Sequence, residues 1–272
     1  SKIHQERPKI LRSLGQELAL NICVCMAQFF AQGGITMGMC TLSIVLDSFA
    51  ERSGNEVVPS QRLWFMSSFA LTLGSFILIS GRLGDLFGLK KIFLIGWVWT
   101  TIWTLICGFS VFSNSVIFFI ISRAFQGIGF ALLLPCGLGI LGTIYEIGPR
   151  KNFVFGVFGA MGPSGATLSG LMASVISQLG WWPWSYWVLG ILCGFLTVLS
   201  YISIPDVRIE QLETDSLVPK WKQFDYLGLT VGVSRLVVMN LVWNQGLVAN
   251  WSAYIIVLLA LRVVALVAFF YV

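Results

Sequence analysis

The run from Ile117 to Gly142, IFFIISRAFQGIGFALLLPCGLGILG, contains one charged residue, Arg123. About 20 predominantly apolar residues are enough for a helix to cross the hydrocarbon core of a bilayer. The run is continuously apolar, whereas barrel strands would alternate over about 10 residues. It therefore reads as a transmembrane helix. Working outward, runs of the same kind lie near 20–45, 62–81, 92–112, 153–177, 185–204, 226–247 and 253–272. The whole composition agrees. Hydrophobic residues make up 57% of the 272 and charged residues 11%, against about 25% charged in an ordinary globular domain. With a mean hydropathy of +0.85, a water-soluble globule and a disordered chain are both excluded. No basic patch interleaved with aromatics suggests a nucleic-acid partner. No serine–histidine, paired-aspartate or metal constellation appears at membrane depth, which argues against an intramembrane enzyme.

These runs predict an all-α polytopic membrane protein in four parts: an N-terminal tail (1–16), a six-helix bundle (17–204), a polar central loop (205–224) and two further helices (225–272). The chain opens at Ser1 and stops inside an apolar run at Val272, so the last helix is expected to be incomplete and the chain truncated. The first run is too long for a signal-peptide core of about 7–15 residues and is expected to be retained. Cys23, Cys25, Cys40, Cys107, Cys136 and Cys193 all fall in apolar segments without a CxxC spacing, as buried small hydrophobes do. Lys and Arg set the threading. Lys2, Arg7, Lys9 and Arg12, then Arg82, Lys90 and Lys91, then Arg150 and Lys151, then Arg208, Lys220 and Lys222 fall on one side, and only Arg52 and Arg62 on the other. The N-terminus is thus expected in the cytoplasm. Asn250-Trp251-Ser252, a glycosylation acceptor at Asn250, then faces outward. Trp181-Trp182-Pro183-Trp184 has the make-up of an aromatic interface belt.

Three stretches carry a functional signal. Gly81-Arg82-Leu83-Gly84-Asp85-Leu86-Phe87-Gly88-Leu89-Lys90-Lys91 is expected in the short loop after the second span. Its glycines permit a tight reversal, and Asp85 can pair with a cation or face a helix N-terminus. The alternative is an ordinary positive-inside loop. In the fourth span, Arg123 shares a helix face with Gln126, while Gly127, Gly129 and Ala131 allow a neighbouring helix to come close. An intramembrane arginine either marks a functional site or internal pair, or snorkels outward as an anchor. The fifth span carries Gly156, Gly159, Gly162-Pro163, Gly165, Ala166, Ser169 and Gly170. Small residues at this spacing make a smooth packing face, and Pro163 frees the Gly159 carbonyl and can bend the helix.

Together these stretches resemble the signature motifs of the major facilitator superfamily of secondary transporters. The loop resembles G-x-L-A-D-R-x-G-R-[KR] through Gly81, Leu83, Asp85, Gly88 and Lys90, departing at Gly84, Leu86 and Leu89. Arg123, Gln126, Gly127, Gly129 and Ala131 resemble R-x-x-Q-G-x-G-x-A. Gly162 and Pro163 resemble the antiporter Gly-Pro motif, although Ala166 and Thr167 stand where paired glycines are expected. Gln32-Gly33-Gly34-Ile35-Thr36-Met37-Gly38, Trp243-Asn244-Gln245 and Phe224-Asp225-Tyr226-Leu227-Gly228 are similar to fungal fourteen-span drug:proton antiporters of the aminotriazole-resistance type. The resemblance implies an N-terminal six-helix domain plus two helices, with a C-terminal domain outside this sequence. It also implies export of small organic compounds by alternating access, driven by a proton gradient without any cofactor, from a plasma or vacuolar membrane. The implied partners are the lipid bilayer, a small-molecule substrate and protons, with no obligatory protein partner. A facilitative or importing carrier and a non-transporting sensor remain the alternatives.

Polar faces suggest the cavity. Asn21, Gln28 and Gln32 share one stripe of the first span with Cys25, where their amides could meet a substrate or bond between helices. Asn240, Asn244 and Gln245 are polar positions towards the outer end of the seventh span. No carboxylate falls inside the first six spans, since Asp47, Glu146 and Asp225 lie at predicted ends and His4 is in the tail. Arg123 does not deprotonate but can lower the pKa of a partner acid. Arg235 and Arg262 fall near the middle of spans seven and eight.

Overall fold

The computed structural model describes residues 8, 10–11, 13–54, 58–113 and 115–205. The central loop beyond 205, spans seven and eight, Arg235, Asn240, Asn244, Gln245, Asn250 and Arg262 lie outside the described residues. Six helices follow one another: α1 (Leu14–Ser53), α2 (Pro59–Phe87), α3 (Leu89–Phe109), α4 (Val116–Ile144), α5 (Pro149–Leu179) and α6 (Pro183–Ser203). A 3-10 turn, Ser110–Ser113, follows α3. Each helix corresponds to one predicted span of the bundle; α1, α2 and α5 run beyond theirs at both ends, whereas α3 and α6 stop short of the last residues of theirs. Among the described residues, five are long and apolar enough to cross a membrane; α5 is not one of them, its sequence being diluted by glycine, serine and alanine.

The ends have local causes. Ser13 caps α1 by accepting the Gln16 N–H at 3.1 Å, and Gly54, at φ 66°, closes it in the left-handed region. Pro59, Pro149 and Pro183 open α2, α5 and α6, where the absent N–H has no helical partner to lose. The 40 residues of α1 amount to about 60 Å at 1.5 Å per residue, about twice the thickness of a hydrocarbon core of about 30 Å.

The expected loop between α2 and α3 is almost wholly helical. Gly81 to Phe87 belong to α2 and Leu89 opens α3, so only Gly88, at φ 100° and ψ 127°, is non-helical. Positive φ is cheap for glycine alone. That single residue suffices to reverse the chain, because apolar side chains of both helices reach the turn.

Packing puts α4 at the centre. It lies against α2 and α3, while α1 pairs with α5 and α3 with α6. Glycines allow these approaches. A Cβ on Gly127 would strike the Thr72 hydroxyl and the Phe69 carbonyl of α2, and one on Gly129 would strike Thr100 of α3. Beside them Thr72 donates to the Ala124 carbonyl at 2.7 Å and Trp99 Nε1 to the Phe125 carbonyl at 2.8 Å. Hence α4 is gripped on two sides where backbones come closest. In α5, Gly165 faces the Phe29 backbone of α1 and Gly170 faces Thr36.

Consecutive helices alternate in direction. One end gathers the start of α1, the end of α4, the start of α5 and the end of α6, where Gln16 Nε2 donates to the Ser203 carbonyl at 3.0 Å. The opposite end gathers the end of α1 and the start of α6. Arg52 Nη1 donates there to the Val111 carbonyl at 2.6 Å and Trp182 Nε1 to Ser48 Oγ at 3.1 Å. Phe49, Phe119, Trp182 and Tyr186 close this end with ring centroids about 6 Å apart or less. The aromatic-belt reading is therefore corrected in one member. Trp181 and Trp184 are exposed, but Trp182 is buried because its indole fills the gap between α1 and α4.

Candidate functional site

Arg123 sits two turns into α4 and is 1% exposed. It does not snorkel; its guanidinium crosses the bundle towards α1. Nη1 donates to Gln126 Oε1 at 2.6 Å and Nη2 to the Gly34 carbonyl at 2.6 Å. The guanidinium carbon lies 4.5 Å from the centroid of the Phe69 ring and 5.8 Å from that of Tyr186. Gln126 in turn donates from Nε2 to Thr104 Oγ1 of α3 at 2.8 Å. Nε is buried without a hydrogen-bond partner among the described residues. No carboxylate pairs with this cation among the described residues. Burying an unpaired charge costs several kcal/mol. Two charge-assisted hydrogen bonds at about 1.5–3 kcal/mol each, with a desolvated cation–π contact near 2 kcal/mol, roughly offset it. Glycine provides the room: a Cβ on Gly38 would lie 2.7 Å from Nη2.

Of the turn motif, Gly81 lies 4.0 Å, at its Cβ position, from Pro135 of α4, and Leu83 packs against the core. Lys90 stands in the first turn of α3. Asp85 is exposed in the last turn of α2, and among the described residues it forms no ion pair. A carboxylate there sits at the negative pole of its own helix, a disfavoured place.

On α5 the Gly-Pro pair points two ways. Gly162 is buried against α1, its Cβ position 3.2 Å from Gln28 Nε2 and 3.7 Å from Gln32 Cγ. Pro163 is exposed. Gly159 does not pack a helix among the described residues; it and Gly156 face open space. The contacts of α5 with α1 run through Gly162, Gly165 and Gly170, and Gly159 lies about one turn before them.

The α1 stripe divides. Gln28 and Gln32 are half-buried against α5, and their side-chain amides make no hydrogen bond among the described residues. Asn21 belongs elsewhere, donating from Nδ2 to the Tyr145 hydroxyl at 2.7 Å. It takes part in a clasp that sequence reasoning missed. Glu17, buried at 5% exposure, accepts from Arg150 Nε at 3.0 Å and Nη2 at 2.7 Å, and from the Tyr145 hydroxyl at 2.9 Å. Burial pushes the Tyr145 phenol up to about 12, so it remains a donor to Glu17 at neutral pH. Glu17 ties α1 to the start of α5 and the end of α4. The signal was present: Glu17, Asn21 and Cys25 are spaced by four, extending the polar stripe one turn outward.

Residues 24–272 match the Major Facilitator Superfamily. The chain is 42% identical over 271 residues to the low affinity ammonium transporter of Saccharomyces cerevisiae, covering 99% of this chain and 51% of the relative. It is 42% identical over 268 residues to the aminotriazole resistance protein of the same yeast, covering 97% and 47%. Against a major facilitator superfamily multidrug transporter of Aspergillus fumigatus the figures are 36% over 260 residues, 95% and 47%. The chain thus spans about half the length of the curated relatives it matches. Its fold is similar to the crystal structure of the peptide transporter POT in complex with sulfate, with a TM-score of 0.57 at 17% identity over 85% of this chain and 47% of that one. With the six-helix bundle and the glycine-lined seams of α4, these matches lead to one statement: the chain belongs to the major facilitator superfamily, a family of membrane transporters.

Proposed function

We propose that the chain forms the N-terminal part of a secondary active transporter that exports small organic compounds by proton antiport. The observation that carries this reading is Arg123, a buried cation fixed by neutral partners and free of a carboxylate among the described residues. Such a group is costly in a bilayer and by default marks a transport or coupling site. Held this way, it favours the charged form of any acid brought near it and so lowers that acid's pKa. Gln28 and Gln32, with unused amides beside Gly162, supply hydrogen-bonding capacity at membrane depth. Transport would proceed by alternating access, two bundles rocking about a central site. The Glu17–Arg150 end, rich in Lys and Arg, faces the cytoplasm in this reading, and Asp85 biases the gate at that end by pairing with basic residues in one conformation. Gly162-Pro163 shapes the moving interface, and the protein resides in the plasma membrane. Relatives named for drug transport and aminotriazole resistance support the substrate class.

The test is efflux of a fluorescent drug from proteoliposomes of the full-length protein, with and without an imposed proton gradient. Arg123→Ala should abolish gradient-driven efflux while membrane insertion persists. Wild-type efflux from that variant would remove Arg123 from the coupling site. A second reading, facilitated uptake of a small cation, draws on the relative named as an ammonium transporter. Methylammonium uptake that survives collapse of the proton gradient would favour it.

A further inference from the structure

Two buried polar groups face one another in the bundle without partners. Tyr186 stands in the first turn of α6 and is 0% exposed. Its hydroxyl makes no hydrogen bond among the described residues, and neither does Arg123 Nε. The guanidinium carbon lies 5.8 Å from the centre of the Tyr186 ring. The phenol oxygen lies within the field of the Arg123 charge, with Cys107 and the Thr41 hydroxyl as further neighbours. Thr41 has committed its own proton to the Met37 carbonyl at 2.9 Å. Phe119 and Trp182 hold the ring edge-on, at 5.4 and 6.1 Å between centroids.

Buried polar groups are nearly always paired, and a hydroxyl left unpaired carries its full desolvation penalty. Phenylalanine would fill the same space without that penalty. The two orphans are also complementary, since Nε–H can only donate and a phenol oxygen can accept. The fold thus holds both halves of a hydrogen bond that this conformation does not make. Departures of this kind concentrate at functional sites. The acceptor that now holds the guanidinium from another helix is the Gly34 carbonyl on α1.

We propose that Tyr186 is a positioning residue for Arg123: when α1 shifts in the transport cycle and the Gly34 carbonyl is lost, the guanidinium turns to the Tyr186 hydroxyl. The inference rests on the reading of Arg123 as the coupling site. Because the phenol is neutral, the arginine keeps its charge available to a proton-carrying acid in both arrangements. The hydroxyl stabilises only the second arrangement, so its removal shifts the population towards the first.

The test uses the full-length protein in proteoliposomes, with a fluorescent drug and an imposed proton gradient. Tyr186→Phe keeps the ring and removes the oxygen. Its maximal efflux rate should fall about tenfold or more, the equivalent of one charge-assisted hydrogen bond, with KM little changed. Its Tm in detergent should equal or exceed the wild-type value, because an unpaired hydroxyl is gone. A wild-type rate overturns the proposal. So does a raised KM at an unchanged maximal rate, which makes the hydroxyl a substrate contact, or a clearly lowered Tm, which makes it a structural partner in this conformation. A readout independent of activity comes from 3-fluorotyrosine placed at position 186. Its fluorine resonance should differ between protein at low pH without drug and protein at high pH saturated with drug, and a resonance common to both overturns the proposal. Normal efflux from Arg123→Ala overturns the coupling reading and this one with it. An inactive Arg123→Ala beside a wild-type Tyr186→Phe overturns this one alone.

Discussion

Two glycines near Arg123 separate structural from functional effects. A methyl group on Gly127 meets the Phe69 carbonyl, a backbone atom that cannot yield. Overpacking of this kind costs about 1–3 kcal/mol or more, and Gly127→Ala should show a clearly lowered Tm in detergent. A methyl on Gly38 meets only Arg123 Nη2, the end of a flexible side chain that can retreat. Gly38→Ala should therefore lower Tm less than Gly127→Ala but lose efflux, because the retreat breaks the bond to Gly34. If it transported normally, the Gly34 contact would be irrelevant to function. Arg123, Gln126 and both motif glycines were legible from spacing alone. Gly34 and Gly38 as acceptor and clearance were not, because a backbone carbonyl on another helix leaves no periodic trace.

At the scale of elements, the clasp between α1 and α5 is asymmetric. The Glu17 side chain is 6% exposed and that of Arg150 is 31% exposed. Removing the arginine leaves a buried carboxylate without its cation, held by the Tyr145 hydroxyl, a loss of about 3 kcal/mol. Removing the glutamate leaves a guanidinium that can turn to water, a loss nearer 1 kcal/mol. Arg150→Ala should thus lower the unfolding midpoint more than Glu17→Ala in parallel thermal melts. Equal losses would mean that the pair is already solvated. All six helices of the bundle were legible as apolar runs. Their ends were not, since the predicted first span began at residue 20 whereas α1 begins at Leu14, three residues before Glu17. Apolar periodicity marks where lipid or core begins, whereas this helix continues until Ser13 caps it. The partner of Asn21 was not legible either, Tyr145 lying far away in sequence just past α4.

For the molecule as a whole, threading decides every role. With the Lys-rich end in the cytoplasm, Asp85→Cys on a Cys40→Ser background should react with an impermeant maleimide in inside-out vesicles and stay unlabelled in intact cells. Labelling from the cell exterior would invert the topology and the gate assignment with it. The fold class followed from composition, hydropathy and three motifs. The central position of α4 did not, because which helix occupies the middle depends on small residues meeting across three helices.

The joint between α2 and α3 has a mechanical consequence. A connection of one residue carries no slack, so neither helix can tilt without dragging the other. Gly88 acts as a knee: torque applied at Asp85 is delivered to α3, and through α3 to Thr104 and the amide of Gln126. Any other residue there would have to adopt a strained backbone costing about 1–3 kcal/mol, or unwind a turn and loosen the lever.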